Sequence, residues 1–283
     1  MATNLFGVLG WPVKHSVSPA MMKAAFQQAR VDAVYLPFPV EKGLLRTAVA
    51  GLCALSAGGV NVTIPHKIAA FDCCQEWTSE AKSVGAVNTL KFVDGKVIGH
   101  NTDVAGWWAS IRDYLTPLST TFAVLGAGGA CMAVLAALAA HRRGAKVLLI
   151  ARNSTEMAKQ KTRFGQALDF ELIPFDRRHE AIARAQVVVQ TTPVGMWPDA
   201  HQSPVLDVTV FGSQQIVQDV VYRPEMTTFL EQAQSMGATI VTGVSMLVHQ
   251  GAAAYEYWLG QSPDLSIMDA AARFQLRRAA DRG

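Results

Sequence analysis

The sequence predicts an α/β protein of two domains, the second of which contains a doubly wound parallel sheet. Three observations support this fold class. The chain has 283 residues, which is enough for two domains that each bury an apolar core. Short apolar runs alternate with helical patterns along the chain. A glycine-rich turn at residues 126–130 joins an apolar run to an alanine-rich stretch, which is the order of strand, turn and helix in an open α/β sheet.

The composition argues against several classes of protein. Half of the residues are hydrophobic and 17% are charged, and no stretch of about 18 residues is apolar throughout, so we expect no membrane association. The N-terminus lacks a basic leader followed by a long apolar segment, which favours the cytoplasm. Basic pairs such as Arg142-Arg143 and Arg277-Arg278 are dispersed and are not grouped with aromatic residues, so no nucleic-acid partner is expected.

The cysteines predict neither a metal site nor a disulfide framework. Cys53, Cys73, Cys74 and Cys131 show no CxxC spacing and no accompanying histidine pattern. We therefore expect reduced thiols and no bound metal.

The first half of the chain has the pattern of a β/α unit that ends in a hairpin. The predicted elements are a strand at 6–10, a helix at 19–29, a strand at 33–40, a helix ending near Leu55 and a strand at 58–65. Residues 84–103 predict a hairpin, because Asp94-Gly95 is a dipeptide favoured in tight turns between two strands. A helix is expected from Gly106 to Tyr114.

The second half continues the alternation of strands and helices. Residues 121–152 predict a strand, the glycine turn, a helix and a second strand, and the small residues of that helix permit close packing on a parallel sheet. Further strands are expected at 185–193, at 214–222 and near Thr239. The amphipathic stretch at 245–260 is expected to fold back over the first domain.

The glycine turn has the features of a dinucleotide site. Its sequence, Gly-Ala-Gly-Gly-Ala at 126–130, would let the backbone approach a pyrophosphate at the N-terminus of the next helix. Cys131 stands where a third small residue is usual. The second strand ends in Ala-Arg-Asn-Ser at 151–154, without the acidic residue that binds the ribose of NAD. Arg152 would suit a 2′-phosphate instead, so NADP is favoured over NAD; the alternative is an ordinary surface arginine.

Several polar residues of the first half border apolar runs. Ser16 and Ser18 are two residues apart, which places both hydroxyls on one side of an extended segment. Ser18 before Pro19 would equally suit a helix N-cap. Lys67 comes after the strand that Pro65 ends, and ligands bind at such carboxyl ends in open α/β sheets.

Asn88 and Asp103 take comparable positions at predicted strand ends. Together with Lys67, and with hydroxyl groups such as that of Thr63 beside them, they would line a cleft suited to a polyhydroxylated carboxylate. Each also has a simpler interpretation. Lys67 would be a solvated lysine, Asn88 a turn former and Asp103 a helix N-cap.

Eight short motifs occur along the chain in the order and spacing of one enzyme family. They are HSVSP, NVTIPHK, VGAVNTL, NTD, GAGGA, TTPVGM, DVVYRP and LVHQGA. Each motif alone is weak, but eight in order over nearly the whole chain are specific. By these motifs the chain resembles the shikimate dehydrogenase family.

The resemblance implies an enzyme that reversibly reduces 3-dehydroshikimate to shikimate with NADPH, in the shikimate pathway of aromatic amino acid biosynthesis. It implies an N-terminal α/β substrate-binding domain at 1–104, completed by C-terminal helices at 244–283. Residues 105–243 would form a Rossmann-type NADP-binding domain, with a cleft between the two domains. The expected partner is a small-molecule substrate, without nucleic acid or membrane, and the chain would be a monomer or a homodimer.

The resemblance also implies roles for individual residues. Lys67 and Asp103 match the catalytic acid/base pair. The residues that match substrate-binding positions are Ser16, Ser18, Asn61, Thr63, Asn88, Tyr222 and Gln250. Those that match cofactor-binding positions are Gly126, Ala127, Gly128, Gly129, Ala130, Arg152, Asn153, Thr191, Val220 and Gly243.

Three departures from the family pattern leave alternatives open. The family often has His-Asn at Met22-Lys23, Gly at Val104, and Asn-Arg-Thr where this chain has Ala-Arg-Asn. One alternative is therefore a quinate/shikimate dehydrogenase-like paralogue that uses NAD or a related cyclohexane carboxylate. A non-catalytic ligand sensor is another, which the presence of both Lys67 and Asp103 disfavours.

Overall fold

A computed structural model of the chain describes residues 3–280. The first of its two compact units comprises the chain up to Gly106 together with the part from Val248 onward, and the second comprises Trp107–Leu247. Both units combine helices with a largely parallel sheet, so the predicted α/β fold class is confirmed. Residues 1–2 of the predicted first domain and residues 281–283 of the predicted C-terminal helices lie outside the described residues.

The first unit contains a mixed sheet of six strands. Its elements up to the second unit are β1 (Asn4–Gly10), α1 (Ser18–Gln28), β2 (Ala33–Pro39), α2 (Leu45–Ala54), β3 (Gly59–Val62), β4 (Glu76–Trp77), α3 (Ser79–Val84), β5 (Thr89–Val93), β6 (Lys96–His100) and the start of α4 (Asp103–Ile111). The strand order is β2-β1-β3-β5-β6-β4. Because β5 runs antiparallel to β3 and β6, the start of β5 lies at the same sheet edge as the ends of those two strands.

The predicted hairpin is confirmed by the pairing of β5 with β6. Asp94 and Gly95 join the strands with φ values of 48° and 75°. These left-handed values are what a two-residue type I′ turn requires.

The predicted helix from Gly106 to Tyr114 is wrong at both ends. The α-helix α4 begins at Asp103 and ends at Ile111, and a short 3-10 turn follows. The early start has a local cause, because Asn101 Oδ1 accepts the Asp103 N–H at 3.1 Å. A side-chain acceptor at this position satisfies a helix N-terminal donor.

The second unit contains a parallel sheet of six strands. Its elements after α4 are β7 (Thr121–Leu125), α5 (Gly129–His141), β8 (Lys146–Ala151), α6 (Ser154–Phe164), β9 (Asp169–Pro174), α7 (Arg178–Arg184), β10 (Val187–Gln190), β11 (Ile216–Asp219), α8 (Thr228–Ser235), β12 (Thr239–Val241) and the start of α9 (Gly243–Leu259). The strand order is β12-β11-β10-β7-β8-β9. Successive strands β7 to β9 extend to one side of β7 and strands β10 to β12 extend to the other, so the order of the strands switches at β7. Ligands bind at such a switch point in doubly wound sheets.

The C-terminal segment packs on the first unit. It consists of the later part of α9 and of α10 (Leu265–Ala280). Trp258 on α9 donates its Nε1–H to the Leu90 carbonyl of β5 at 3.0 Å, and its ring centroid lies 5.0 Å from that of Phe6. Tyr255 contacts Phe26 of α1 with a centroid distance of 5.5 Å.

Residues 3–280 lack two further features, a helix that spans a membrane and a cluster of metal ligands. No helix in this range is long and apolar enough to cross a membrane. Within the same range, no cluster of three or more His, Cys, Asp or Glu side chains is placed to hold a metal ion. The four cysteines carry free thiols.

Candidate active site

A lysine and an aspartate form an ion pair at the carboxyl edge of the first sheet. Lys67 Nζ lies 2.5 Å from Asp103 Oδ2, and the two side chains are 25% and 7% exposed. Lys67 follows β3, and its carbonyl accepts the Val87 N–H at 2.8 Å. Both carboxylate oxygens of Asp103 accept bonds from side chains, from Lys67 and from Asn88. The simpler interpretations, a solvated Lys67 and an Asp103 that only caps a helix, are therefore wrong.

Asn88 holds the aspartate from its other side. The sequence placed Asn88 at the end of a strand, which is wrong, because it immediately precedes β5 and reaches this edge only because β5 is antiparallel. Its Nδ2 donates to Asp103 Oδ1 at 2.8 Å and to Thr102 Oγ1 at 3.0 Å. Its Oδ1 accepts the Thr102 N–H at 2.8 Å and the Thr89 hydroxyl at 2.9 Å. Both amide protons are therefore already used inside the protein.

The hydrogen-bond network continues from Asn88 into the core of the unit. Asn61 Nδ2 donates to Thr89 Oγ1 at 3.0 Å and to the Asn88 carbonyl at 3.3 Å. The Tyr35 hydroxyl donates to Asn61 Oδ1 at 2.7 Å. Side-chain hydrogen bonds thus link Tyr35 of β2 to Asp103.

Three members of this network were not predicted from the sequence, namely Tyr35, Thr89 and Thr102. Tyr35 is buried between the exposed Val34 and Leu36 of β2. This alternation is the signal that a polar hydroxyl points inward there, but it does not reveal the partner. Thr89 and Thr102 lie within the motifs VGAVNTL and NTD, and both are fully buried.

The two serines lie in a turn, so the prediction of an extended segment is wrong. Val17 between them has φ −82° and ψ −21°, which is a helical conformation, and the Ser16 N–H donates to the Val13 carbonyl at 3.0 Å. The N-cap interpretation of Ser18 is also wrong, because α1 begins at Ser18 itself. Ser16 Oγ accepts the Ser18 N–H at 3.3 Å instead.

Thr63 and Gln250 are placed in the same unit by close contacts at glycines. A Cβ atom on Gly10, at the end of β1, would collide with the Thr63 methyl group. A Cβ atom on Gly106 of α4 would collide with the backbone of Gln250 on α9. Gly106 lies one helical turn after Asp103, so this contact brings Gln250 to the helix that begins with the aspartate.

The glycine turn of the second unit leaves its backbone accessible. A Cβ atom on Gly128 or Gly129 would meet no protein atom within 4 Å, so a ligand can approach the amides at the start of α5. Gly126 has φ +114°, and a Cβ atom there would collide with Thr191 Oγ1. Ala127 and Ala130 are partly buried within the turn. This arrangement fits a pyrophosphate bound at a helix N-terminus.

Thr191, Val220 and Gly243 follow three neighbouring strands of the same sheet. Thr191 follows β10 and its Oγ1 donates to the Leu125 carbonyl at 2.6 Å. Val220 follows β11, and Gly243 begins α9 after β12. A Cβ atom on Gly243 would collide with the carbonyls of Val220 and Val221. These residues lie at the carboxyl edge that also carries the glycine turn.

Arg152 and Asn153 follow β8, next to the strand that leads into the glycine turn. Both side chains are exposed. Asn153 Oδ1 accepts the Glu156 N–H at 3.1 Å and so caps α6. The amide oxygen of Asn153 therefore serves the fold, and its NH₂ group is the part that suits a phosphate.

A buried aspartate holds the segment that carries Tyr222. Asp219 ends β11 without solvent exposure. Its Oδ1 accepts the Val221 N–H at 2.9 Å, and its Oδ2 accepts the Thr227 hydroxyl at 2.7 Å. Burial raises the pKa of Asp219 to about 7, which these two donors only partly offset. Burial also raises the pKa of the Tyr222 phenol, against a lowering effect of Arg223.

Asp219→Asn is expected to change how stability depends on pH. The pKa of Asp219 in the fold, about 7, exceeds its ordinary value of 3.8. Between these two pH values the folded chain therefore binds more protons than the unfolded chain. The free energy of unfolding therefore falls as pH rises from about 4 to about 7. The asparagine variant should lack this fall, which is on the order of a few kcal/mol.

Thermal unfolding between about pH 5 and about pH 8 measures this difference. Asp207→Asn is a matched control, because donors from Thr209 lower the pKa of that exposed carboxyl, so its curve should stay parallel to the wild-type curve over this range. A parallel curve for Asp219→Asn would contradict the assignment.

Comparison with known proteins identifies the family. Residues 8–90 match the family model of the shikimate dehydrogenase substrate binding domain, and residues 243–273 match that of the shikimate 5′-dehydrogenase C-terminal domain. Shikimate dehydrogenase (NADP(+)) from Methanopyrus kandleri (strain AV19) is 39% identical over 282 residues, which cover 97% of this chain and 97% of the relative. The chain belongs to the shikimate dehydrogenase family. The family suggested by the eight motifs is therefore confirmed.

Solved structures of two related dehydrogenases share the fold. The shikimate 5-dehydrogenase of Thermus thermophilus, in complex with NADP(H) and shikimate, is 35% identical with a TM-score of 0.86, covering 96% of this chain and 99% of that chain. The quinate dehydrogenase of Corynebacterium glutamicum, in complex with NAD, is 28% identical with a TM-score of 0.85, covering 95% and 98%. The fold is thus common to enzymes with different substrates and cofactors.

Proposed function

We propose that this chain is an NADP-dependent shikimate dehydrogenase that reversibly reduces 3-dehydroshikimate to shikimate, in the shikimate pathway of aromatic amino acid biosynthesis. The observation that carries the proposal is the contact of 2.5 Å between Lys67 Nζ and Asp103 Oδ2. Reduction of a ketone needs a proton donor at the oxygen that gains negative charge. An ammonium group both donates that proton and stabilises the charge.

The substrate is assigned to side chains of the first unit. Ser16 and Ser18 bind the carboxylate, and the DVVYRP motif assigns Tyr222 to substrate binding. Thr63 and Gln250 bind ring hydroxyls. The two asparagines act differently from the sequence-based expectation, since their amide protons are engaged within the protein. Asn88 and Asn61 therefore serve mainly to hold Asp103 in place, because their amide oxygens also accept hydrogen bonds within the protein.

The proton transfer is assigned to Lys67. During reduction, one Nζ–H bond breaks and the proton passes to the substrate oxygen, while the carbonyl carbon receives a hydride. NADPH, when bound, supplies that hydride. During oxidation, Lys67 as a neutral amine accepts the hydroxyl proton. Asp103 fixes the position of Nζ throughout, and Asn88 fixes Asp103.

The cofactor is assigned to the second unit. The glycine turn at 126–130 holds the pyrophosphate, and Thr191, Val220 and Gly243 line the remainder of the cofactor. Arg152 pairs with the 2′-phosphate, assisted by the NH₂ group of Asn153. The chain works as a monomer or a homodimer in the cytoplasm and requires no nucleic acid.

Arg152→Ala is expected to lower kcat/KM for NADP⁺ about 10- to 100-fold, because it removes hydrogen bonds to a charged phosphate. The value for NAD⁺ should change little, since NAD⁺ has no 2′-phosphate. Steady-state kinetics with both cofactors measure the ratio.

Arg143→Ala is the matched control, because this exposed arginine precedes the opposite end of β8. It removes the same charge and should leave the cofactor preference unchanged. An equal loss for NADP⁺ and NAD⁺ in Arg152→Ala would count against a phosphate contact.

The proposed function is tested by initial rates of reduced-nicotinamide formation with shikimate or quinate, each combined with NADP⁺ or NAD⁺. We expect substantial turnover only with shikimate and NADP⁺. Faster turnover with quinate than with shikimate, or with NAD⁺ than with NADP⁺, would instead support the paralogue alternative. Val104, buried beside Asp103, would then be the first residue to exchange for glycine. Binding of shikimate without turnover would support the sensor alternative.

A further inference from the structure

Tyr35 is a buried phenol on β2 whose hydroxyl has a specific partner. Only 6% of the residue is exposed, and its ring centroid lies 6.4 Å from that of Trp258. The hydroxyl donates to Asn61 Oδ1 at 2.7 Å. Burial raises the pKa of the phenol above its ordinary value of 10.0, so Tyr35 keeps its proton and remains a hydrogen-bond donor at neutral pH.

The side-chain bonds beyond Tyr35 are all donated in one direction. Asn61 Nδ2 donates to Thr89 Oγ1 at 3.0 Å, and the Thr89 hydroxyl donates to Asn88 Oδ1 at 2.9 Å. Asn88 Nδ2 then donates to Asp103 Oδ1 at 2.8 Å. The series ends on the carboxylate that pairs with the proposed proton donor. Each bond in such a series polarises the next one.

The donor-to-acceptor direction of this series of hydrogen bonds begins at Tyr35. The Tyr35 phenol carries a single proton, which its hydroxyl donates to Asn61 Oδ1 at 2.7 Å. With Oδ1 held by Tyr35, the Nδ2 of Asn61 must face Thr89. Without the hydroxyl, Asn61 Oδ1 loses its donor, and only the contacts of Nδ2 with the Asn88 carbonyl and Thr89 Oγ1 still orient the amide.

We infer that Tyr35 is a positioning residue for the proposed reaction, because its hydroxyl fixes the Asn61 amide and, through Thr89 and Asn88, the orientation of Asp103. The inference rests on the proposed function and extends it to a residue outside the family motifs. Tyr35 itself is assigned no contact with the substrate or the cofactor.

Tyr35→Phe keeps the buried ring and removes only the hydroxyl. We expect kcat for shikimate oxidation to fall about tenfold, the effect of one lost buried hydrogen bond that leaves an unpaired acceptor. KM for NADP⁺ and the affinity for NADPH should stay within about twofold of wild type, because no residue of the second unit changes. A merely structural role would lower the melting temperature without this split between kcat and cofactor binding.

Tyr255→Phe is the matched control. Tyr255 is also fully buried in the first unit, and its hydroxyl accepts a bond from Gln261 at 3.5 Å, outside the network. Its removal is an equal chemical change and should leave kcat within about twofold of wild type.

A second pair of variants keeps the test decisive if Tyr35→Phe folds poorly. Thr89→Val preserves the shape of a fully buried side chain but breaks the series, whereas Thr89→Ser retains the hydroxyl. We expect Val to lower kcat about tenfold and Ser to restore most of it. Because both positions act through one series, the double variant Tyr35→Phe/Thr89→Val should lose little more than either single variant.

The outcomes separate the inference from the function on which it rests. Wild-type kcat in Tyr35→Phe, beside an active wild-type enzyme, would overturn the inference alone, as would fully additive losses in the double variant. An inactive wild-type protein in the same assay would overturn the proposed function and the inference with it.

Discussion

Lys67→Ala is expected to lower kcat for shikimate oxidation about 10²- to 10⁴-fold, the range in which general acid–base groups contribute. Its Nζ lies 2.5 Å from Asp103 Oδ2, and the amine is the group assigned to exchange a proton with the substrate oxygen. NADP⁺ binding should be nearly unchanged, because the glycine turn belongs to the other unit. Steady-state kinetics and a calorimetric titration with NADP⁺ measure the two effects separately.

Lys91→Ala provides the matched control for this variant. Lys91 lies on β5 of the same unit, and its Nζ donates to the Tyr257 carbonyl at 3.0 Å. It should retain kcat within about threefold of wild type. The catalytic assignment fails if Lys67→Ala turns over shikimate at a rate like that of Lys91→Ala.

Gly128→Val is expected to abolish most cofactor binding without unfolding the protein. A Cβ atom at this position meets no protein atom within 4 Å, so we expect the fold to accommodate the valine side chain. The same side chain occupies the space in which the pyrophosphate would approach the amides that begin α5. Loss of about two hydrogen bonds to a charged group would raise the Kd for NADP⁺ roughly 100-fold or more.

Two other glycines control this prediction. Gly51→Val adds the same side chain on α2 of the other unit, where a Cβ atom also meets no protein atom within 4 Å, and it should leave cofactor affinity intact. Gly126→Val should instead destabilise the fold, because Gly126 has φ +114° and lies against Thr191. Calorimetric titration with NADP⁺ and thermal unfolding measure both properties, and wild-type affinity in Gly128→Val would rule out the proposed pyrophosphate position.

Much of the fold was predictable because its signals are local. The glycine turn followed by an alanine-rich run identified β7, α5 and β8, and Asp94-Gly95 identified the turn between β5 and β6. The start of α4 was not predictable in the same way, because Asn101, Thr102 and Asp103 are all good N-terminal residues. Only the fold shows which side chain accepts the first N–H. The strand β4 is two residues long and is too short to show a periodicity.

The candidate site was predictable in its members more than in its geometry. Motifs identified Lys67 and Asp103, which the fold brings into contact across 36 positions of sequence. The role of Asn88 depends on the antiparallel direction of β5, which no local pattern reveals. Tyr35 was missed because its hydroxyl becomes meaningful only when β2 and β3 place it beside Asn61, 26 residues away.

Reduction of a cyclic ketone with NADPH by this chain is tested by NADPH consumption on addition of 3-dehydroshikimate. We expect catalytic turnover in which one shikimate forms for each NADPH oxidised, and in which Lys67→Ala is almost inactive. Binding of both compounds without NADPH oxidation, or equal rates in wild type and Lys67→Ala, would contradict it.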